Sequence, residues 1–476
     1  MGSTALAKSL ASVSSGTPAQ VAVFAALLAV ALVVALVARR LRFPYTLALV
    51  VVGLLLGVSH LTLNLRLEPD VVLFIFLPTL LFEGAWALDV WRLMANRLLI
   101  LLLAVPGLII SLFVVGAVLH LGAGFPWLVA LLVGAIVSPT DPVSIVSLLR
   151  QLGMSARLRT IIEGESLFND GVGAVAYTIV LSLLLTLQAP NAQMSVGSLL
   201  PILLHGVWLF VGGPLLGIGV GYLVSRFLSR FEDRLIEILT TLVVAYGVYL
   251  IGDLIQTSGL LAVVCAGLVL GSYGRRHGMS EQALEAVDNV WEFLAFVANS
   301  LLFLLLGLQI GASSLLSAAG PILWATLGII VGRALLIPLL ILPYNALAHR
   351  RAQRMRQRHQ DVPHRPHIQR QPAGDGVITT YVRYVRTLGW PAALPRIWQP
   401  LLLLAGLRGA LSLALALSLP AQVPHVSLLE QVVYGVTLIT LLGQGVALRA
   451  ALPHWPKLPE PSPAAEKPQD GGGHLT

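Results

Sequence analysis

Apolar runs about as long as a membrane-crossing helix recur along the whole chain, separated by short stretches that carry arginine, glycine and proline. Thirteen stand out, at 21–38, 43–58, 71–88, 98–119, 126–148, 166–187, 199–225, 235–252, 258–271, 291–310, 318–345, 399–419 and 429–448, those at 43 and 258 being the weakest. Crossing the hydrocarbon core takes about 20 residues of α-helix. The pattern predicts an all-α polytopic membrane protein of about 13 transmembrane helices over residues 1–452, with a basic cytoplasmic loop at 346–398 and a short disordered tail at 453–476. Composition agrees, because 57% of the 476 residues are hydrophobic and 11% are charged, against roughly 25% charged in soluble proteins. An ordinary soluble enzyme is excluded.

The net charge of +8 first suggests an anionic partner such as nucleic acid. Its distribution says otherwise. With thirteen spans and a cytoplasmic C-terminus, 26 of the 30 basic residues fall on the cytoplasmic side, ten of them arginines between Arg350 and Arg396. Only Lys8 and Arg66 fall outside, and Arg333 and Arg408 lie within spans. This bias is the one that orients membrane proteins, so the charge reads as orientation and no nucleic-acid partner is expected. The first run leads directly into Arg39-Arg40-Leu41-Arg42 without a small-residue cleavage site, so it reads as a retained helix and not as a signal peptide. The basic loop, with His349, His359, His364 and His367, is open to three readings: a solvated loop, a contact with anionic lipid headgroups, or a histidine pH sensor. Cys265 is the only cysteine, which excludes an intramolecular disulfide and a thiolate metal cluster.

Thirteen spans divide into two six-helix halves of opposite orientation if the seventh is a linker. Inverted repeats of this kind are typical of secondary transporters, with the substrate site where discontinuous helices meet near the midplane. The fifth run is interrupted by Ser138-Pro139-Thr140-Asp141-Pro142 and its counterpart, the twelfth, by Gly406-Leu407-Arg408-Gly409. No residue-level similarity between the halves accompanies this topological match.

Charges inside a membrane are costly and mark function. They include Glu83 in the third run, Asp141 in the fifth, Glu165 and Asp170 at and within the sixth, Arg333 in the eleventh and Arg408 in the twelfth. The prolines flanking Thr140 and Asp141 remove backbone donors and release carbonyls, although a capped kink with Asp141 as N-cap gives the same pattern. In Glu163-Gly164-Glu165-Ser166-Leu167-Phe168-Asn169-Asp170-Gly171, helical spacing puts Ser166 and Asp170 on one face and Glu165 and Asn169 on the next. Glu165 has a scaffold alternative, neutralisation by Arg333 or Arg408. Glu83 is read either as a cation ligand or as a side chain that snorkels to the interface. Carboxylates with Ser and Thr oxygens are hard ligands, suited to an alkali cation or a proton rather than to zinc or copper. A carboxylate that holds one or the other, not both, couples the two fluxes.

Taken in order, Phe82-Glu83-Gly84, Pro139-Thr140-Asp141-Pro142, Glu165-Ser166-Leu167-Phe168-Asn169-Asp170, Arg333 and Gly406-Leu407-Arg408-Gly409-Ala410 resemble the monovalent cation:proton antiporter family. That family includes bacterial and eukaryotic sodium/proton exchangers, and the resemblance is to its branch with an Asn-Asp motif. It implies inverted six-helix repeats with crossed discontinuous helices. It also implies Asp170 as the principal carboxylate exchanging Na+ for H+, with Asp141, Ser166, Glu83 and the Thr140 carbonyl as further Na+ ligands. Asn169 would hold the unwound part of the fifth span, Glu165 would pair with Arg333, and Arg408 would offset the half-helix dipoles at the crossing. The Asn169-Asp170 pair resembles the electroneutral members, which exchange one cation for one proton. Such proteins are homodimers in the cell membrane, need no cofactor and meet lipid on their outer faces. Gly213, Gly217 and Gly221 form a small-residue face in the seventh run, open to contact within the subunit or between subunits.

Other classes fare worse. A potassium/proton antiporter of the same fold is the nearest alternative. A cation channel would need a selectivity filter, and no backbone-carbonyl filter loop is evident. An aspartyl enzyme dyad of Asp141 and Asp170 lacks a protease motif. No lysine follows a glycine, so there is no Walker A motif and no ATP-driven pump.

Overall fold

The computed structural model describes residues 17–41, 45–58, 69–142, 145–146, 149–150, 153–188, 196–230, 233–309, 312–360, 393–451 and 455. Lys8, Arg42, Arg66, most of the basic loop with His364 and His367, and the tail apart from Trp455 lie outside the described residues. The described chain is helical throughout. In order the helices are α1 (Thr17–Arg40), α2 (Tyr45–Val58), α3 (Pro69–Ala87), α4 (Val90–Ala123), α5 (Trp127–Val137), α6 (Ala156–Gln188), α7 (Val196–Leu228) and α8 (Arg234–Leu254). Then come α9 (Gly259–Val269, extended by a π-turn into Arg275–His277) and α10 (Glu281–Gln309). α11 runs from Ala319 through a π-turn at Ile337–Ile341 to Gln360, α12 (Gln399–Leu404) and α13 (Ala410–Leu417) are the halves of a broken segment, and α14 begins at Val426 and ends at Ala451. Among the described residues nine helices are long and apolar enough to cross a membrane. The runs at 43, 126, 258 and 399 are shorter or interrupted helices.

Several helices outrun the apolar stretches that announced them. α6 starts ten residues before the run at 166 and α10 ten before the run at 291, because their first turns are polar and hydropathy does not register them. The stretch at 346–360, expected as the start of the basic loop, instead continues α11. Its Ala, Arg, Gln and Met residues are strong helix formers whatever their charge. Water-facing helix starts carry side-chain caps: Asp89 Oδ1 accepts from the backbone N–H of Trp91 at 2.9 Å, and Asp233 Oδ1 accepts from that of Leu235 at 2.8 Å. Each satisfies an otherwise orphaned donor.

Packing sorts the helices into two bundles. One holds α1–α3 and α7–α10; the other holds α4–α6 and α11–α14, so that, with α7 set apart as a linker and α12–α13 counted as one broken segment, each takes three consecutive segments from each half of the sequence. Within the first, backbones come close at glycines: a Cβ on Gly53 would lie 2.2 Å from the Leu304 carbonyl oxygen, and one on Gly217 would lie 2.1 Å from that of Ala262. The small-residue face of α7 therefore meets α9 of its own subunit. Cys265 is buried on that helix as a small packing group. Large apolar side chains such as Leu203, Val207, Leu215 and Leu223 remain exposed on the outside of α7, as expected of a surface whose solvent is lipid. The site residues sit where the two bundles face each other.

Candidate functional site

The second bundle is organised around two interrupted segments that cross. α5 ends at Val137, with the Ser138 hydroxyl donating back to the Gly134 carbonyl at 2.6 Å. Beyond it the prolines prevent the helix from continuing, and the Asp141 N–H donates instead to the Leu407 carbonyl, 2.8 Å away, in the break between α12 and α13. The carbonyls freed at the end of α5 are met by Arg408, which is fully buried and whose Nη1 donates to Ser138 O at 2.6 Å and to Pro139 O at 3.0 Å. A cation on helix C-terminal carbonyls is favourable both as hydrogen bond and against the helix dipole. The glycines of the break provide the room. A Cβ on Gly409 would stand 2.2 Å from Asp141 Oδ2, and one on Gly406 would stand 2.9 Å from Arg333 Nε.

α6 braces this crossing. The Ser166 hydroxyl bonds the Thr140 carbonyl oxygen and lies 3.1 Å from Thr140 Oγ1. One turn on, Asn169 Nδ2 donates to Thr140 Oγ1 at 3.3 Å and to Glu165 Oε1 at 3.4 Å. Glu165 Oε1 also accepts from Arg333 Nη1 at 2.6 Å, in an ion pair whose two side chains are 4% and 6% exposed. Of the two arginines open to Glu165, Arg333 is the one that makes the ion pair.

Asp170, Asp141, Thr140 and Glu83 line one cavity of about 350 Å³ between the bundles. Ser166 sits behind its wall, on Thr140, and Asn169, Glu165, Arg333 and Arg408 are buried away from it. Six further polar or charged residues that sequence reasoning did not select for the site also line it: Tyr45, Arg150, Glu163, Glu292, Asn299 and Ser412. Glu292 was legible, since it is an acid within the run at 291–310. Asn299 and Ser412 carry no charge, so a search for costly intramembrane charges passes over them.

The cavity opens toward one end. A second cavity of about 550 Å³ shares Glu83, Ala87, Arg150 and Glu292 with it and reaches Arg275 and Arg276, the basic end of the molecule. At that mouth Asp288 accepts from Trp86 Nε1 at 2.6 Å and from Arg275 Nη2 at 2.5 Å. Toward the other end, a third cavity of about 540 Å³ is lined by Tyr177, His205, Asp253 and Ser418. Tyr177 lies two turns beyond Asp170, about 10 Å along α6. Between the two, side chains press on α6 where it lacks Cβ atoms: a Cβ on Gly171 would be 2.1 Å from Leu261 Cδ2, and one on Gly173 would be 2.3 Å from Pro139 Cγ. The Tyr177 hydroxyl lies 3.4 Å from the Ser418 carbonyl oxygen, further along the same seam. The carboxylates therefore have a polar path to the basic end and a packed seal toward the other.

Residues 27–453 match the family described as sodium/hydrogen exchanger, transmembrane. The Na(+)/H(+) antiporter ApNhaP of Aphanothece halophytica is 36% identical over 414 residues, covering 86% of this chain and 69% of that protein. The low-affinity Na(+)/H(+) antiporter NhaS1 of Synechocystis is 33% identical, with the same two coverages of 86% and 69%. The Na(+)/H(+) antiporter NhaP of Pseudomonas aeruginosa is 32% identical over 80% of each chain. Among solved structures, the sodium proton antiporter MjNhaP1 of Methanocaldococcus jannaschii at pH 8 superposes with a TM-score of 0.64 at 19% identity, covering 90% of this chain and 96% of that one. At that identity the likeness is one of fold, and it is the antiporter fold. With the family match spanning nearly all of the membrane region, the chain belongs to the sodium/hydrogen exchanger family.

Proposed function

We propose that the chain is a secondary antiporter exchanging Na+ for H+ across the cell membrane, with Asp170 as the carboxylate that holds either ion. The observation that carries this reading is the convergence of Asp170, Asp141, Thr140 and Glu83 on one cavity at a helix crossing. Hard oxygens of this kind bind an alkali cation, and protonation of a carboxylate removes the charge that holds it. Relatives named as Na(+)/H(+) antiporters support sodium as the cation. Lithium and potassium share its chemistry and are distinguished by substitution in the same assay.

In this reading thirteen segments cross the membrane with the basic end and the C-terminus in the cytoplasm, on the positive-inside rule. The bundle of α4–α6 and α11–α14 rocks against the other, so that the carboxylates face the basic mouth and then the cavity beside Tyr177. Movement with neither ion bound is disfavoured, because an unpaired carboxylate would be carried through low dielectric. Arg408 and the Glu165–Arg333 pair keep the crossing intact while it moves. Asn169 beside Asp170 supplies an amide where a second carboxylate would stand, so that one proton is exchanged for one cation. The gradients supply the driving force and no cofactor is needed. The assembly is a homodimer in lipid, and the glycine face of α7 is not its contact because α9 occupies it.

Reconstitution into proteoliposomes with a pH-sensitive dye tests this. Addition of Na+ moves protons in wild-type vesicles and does not in Asp170→Asn; undiminished flux in the variant removes Asp170 from its role. With the membrane potential clamped, the rate is independent of voltage, and a steep dependence rules out one-for-one exchange.

A further inference from the structure

We infer that Asn299 and Ser412 supply neutral oxygen ligands that set the affinity of the site for its cation without altering its affinity for protons; the inference rests on the antiporter reading above. Both residues line the cavity that holds Asp170 and Asp141, Asn299 from α10 in one bundle and Ser412 from α13 in the other. Both are buried, at 4% and 1% exposure. Among the described residues, Asn299 Oδ1 and Ser412 Oγ have no hydrogen-bond partner. Other buried polar atoms among the described residues are also unpaired, but these two belong to residues that line this cavity, and an unpaired buried polar atom is destabilising unless a ligand meets it. Thr140 in the same wall shows the contrast, since both its hydroxyl and its carbonyl oxygen are met by Ser166 from behind. A cation, directly or through its hydration water, is the partner that suits an amide oxygen and a hydroxyl beside carboxylates.

The chemistry separates their role from that of the acids. A proton sits on one carboxylate oxygen, and the neutral oxygens contribute little to holding it. An alkali cation is held by the whole shell of oxygens around it. Carboxylates therefore serve both substrates, whereas an amide or hydroxyl oxygen favours the cation-loaded form alone. Losing one multiplies the apparent KM for the cation by the same factor at every pH, because the proton competition term is untouched. The two residues lie on opposite bundles, so their spacing changes as the bundles rock, and cation affinity changes with it.

Initial rates of Na+-driven proton flux in proteoliposomes, measured across a range of pH, test the assignment. Ser412→Ala and Asn299→Leu each raise the apparent KM for Na+ by about tenfold, the loss expected for one buried contact to an ion, by an equal factor at acid and alkaline pH. Ser412→Thr, which keeps the hydroxyl, restores it. A KM within twofold of wild type in both removal variants overturns the inference, and so does a rise confined to acid pH, which would mean altered proton binding. If Asn299→Leu does not accumulate as folded protein, Asn299→Asp decides: an added carboxylate lowers the KM at alkaline pH and steepens its dependence on protons, and an unmoved KM overturns the inference. Wild-type vesicles that show no Na+-driven proton flux would refute the antiporter reading itself, a result separable from any of these.

Discussion

The ion pair between Glu165 and Arg333 offers a test of how the crossing is held together. Its atoms are 2.6 Å apart and its side chains only 4% and 6% exposed, so both charges have lost their water. Arg333→Met leaves the Glu165 carboxylate with one remaining donor among the described residues, Asn169 Nδ2 at 3.4 Å. Removing one partner of a buried pair costs about 3–5 kcal/mol, mostly the penalty of stranding the other charge, whereas replacing both by apolar groups is about neutral or stabilising. Arg333→Met is therefore expected to lower the apparent melting temperature of the detergent-solubilised protein sharply, and Glu165→Leu combined with Arg333→Met to recover most of the loss. Fluorescence-detected size-exclusion chromatography after a heating series reads both. Neither residue lines the cavity, so the double variant probes the stability of the crossing without removing a cavity-lining oxygen. A single variant that melts with wild type, or a double variant no better than the single, would falsify the view that the pair acts by mutual neutralisation.

Two glycines make sharper geometric predictions. Gly409→Ala places a methyl group 2.2 Å from Asp141 Oδ2 and displaces that carboxylate, so the apparent KM for Na+ rises in vesicles. Gly406→Ala, which presses on Arg333 instead, lowers thermal stability first, and identical phenotypes for the two would refute the distinction. Gly173→Ala drives a methyl to within 2.3 Å of Pro139 Cγ, an overpacking that costs about 1–3 kcal/mol at the seal beyond Asp170. A lowered melting temperature together with slower turnover is expected, and a variant indistinguishable from wild type would show that the seal is loose.

Much of this molecule is legible without coordinates, because the membrane imposes rules that act locally. The cost of charge in hydrocarbon picks out Glu83, Asp141, Glu165, Asp170, Arg333 and Arg408 one residue at a time, and two prolines around Thr140 and Asp141 announce a break wherever they fall. Helix ends are less legible. The polar first turns of α6 and α10 and the arginine-rich end of α11 are invisible to hydropathy, which measures transfer to lipid and not helix formation.

The remaining features depend on partners distant in sequence and are settled by folding. Arg408 rests on carbonyls about 270 residues away, and Arg333 rather than Arg408 makes the ion pair with Glu165. The glycine face of α7 belongs to α9, and the carboxylates open toward the basic end because Leu261 and Pro139 close on α6 at Gly171 and Gly173. Asn299 and Ser412 are the clearest case. As residue types they say little, since neither carries a charge. They become informative when folding brings both residues to one cavity and buries their oxygens without a partner among the described residues, since an unsatisfied atom is a property of packing and not of sequence.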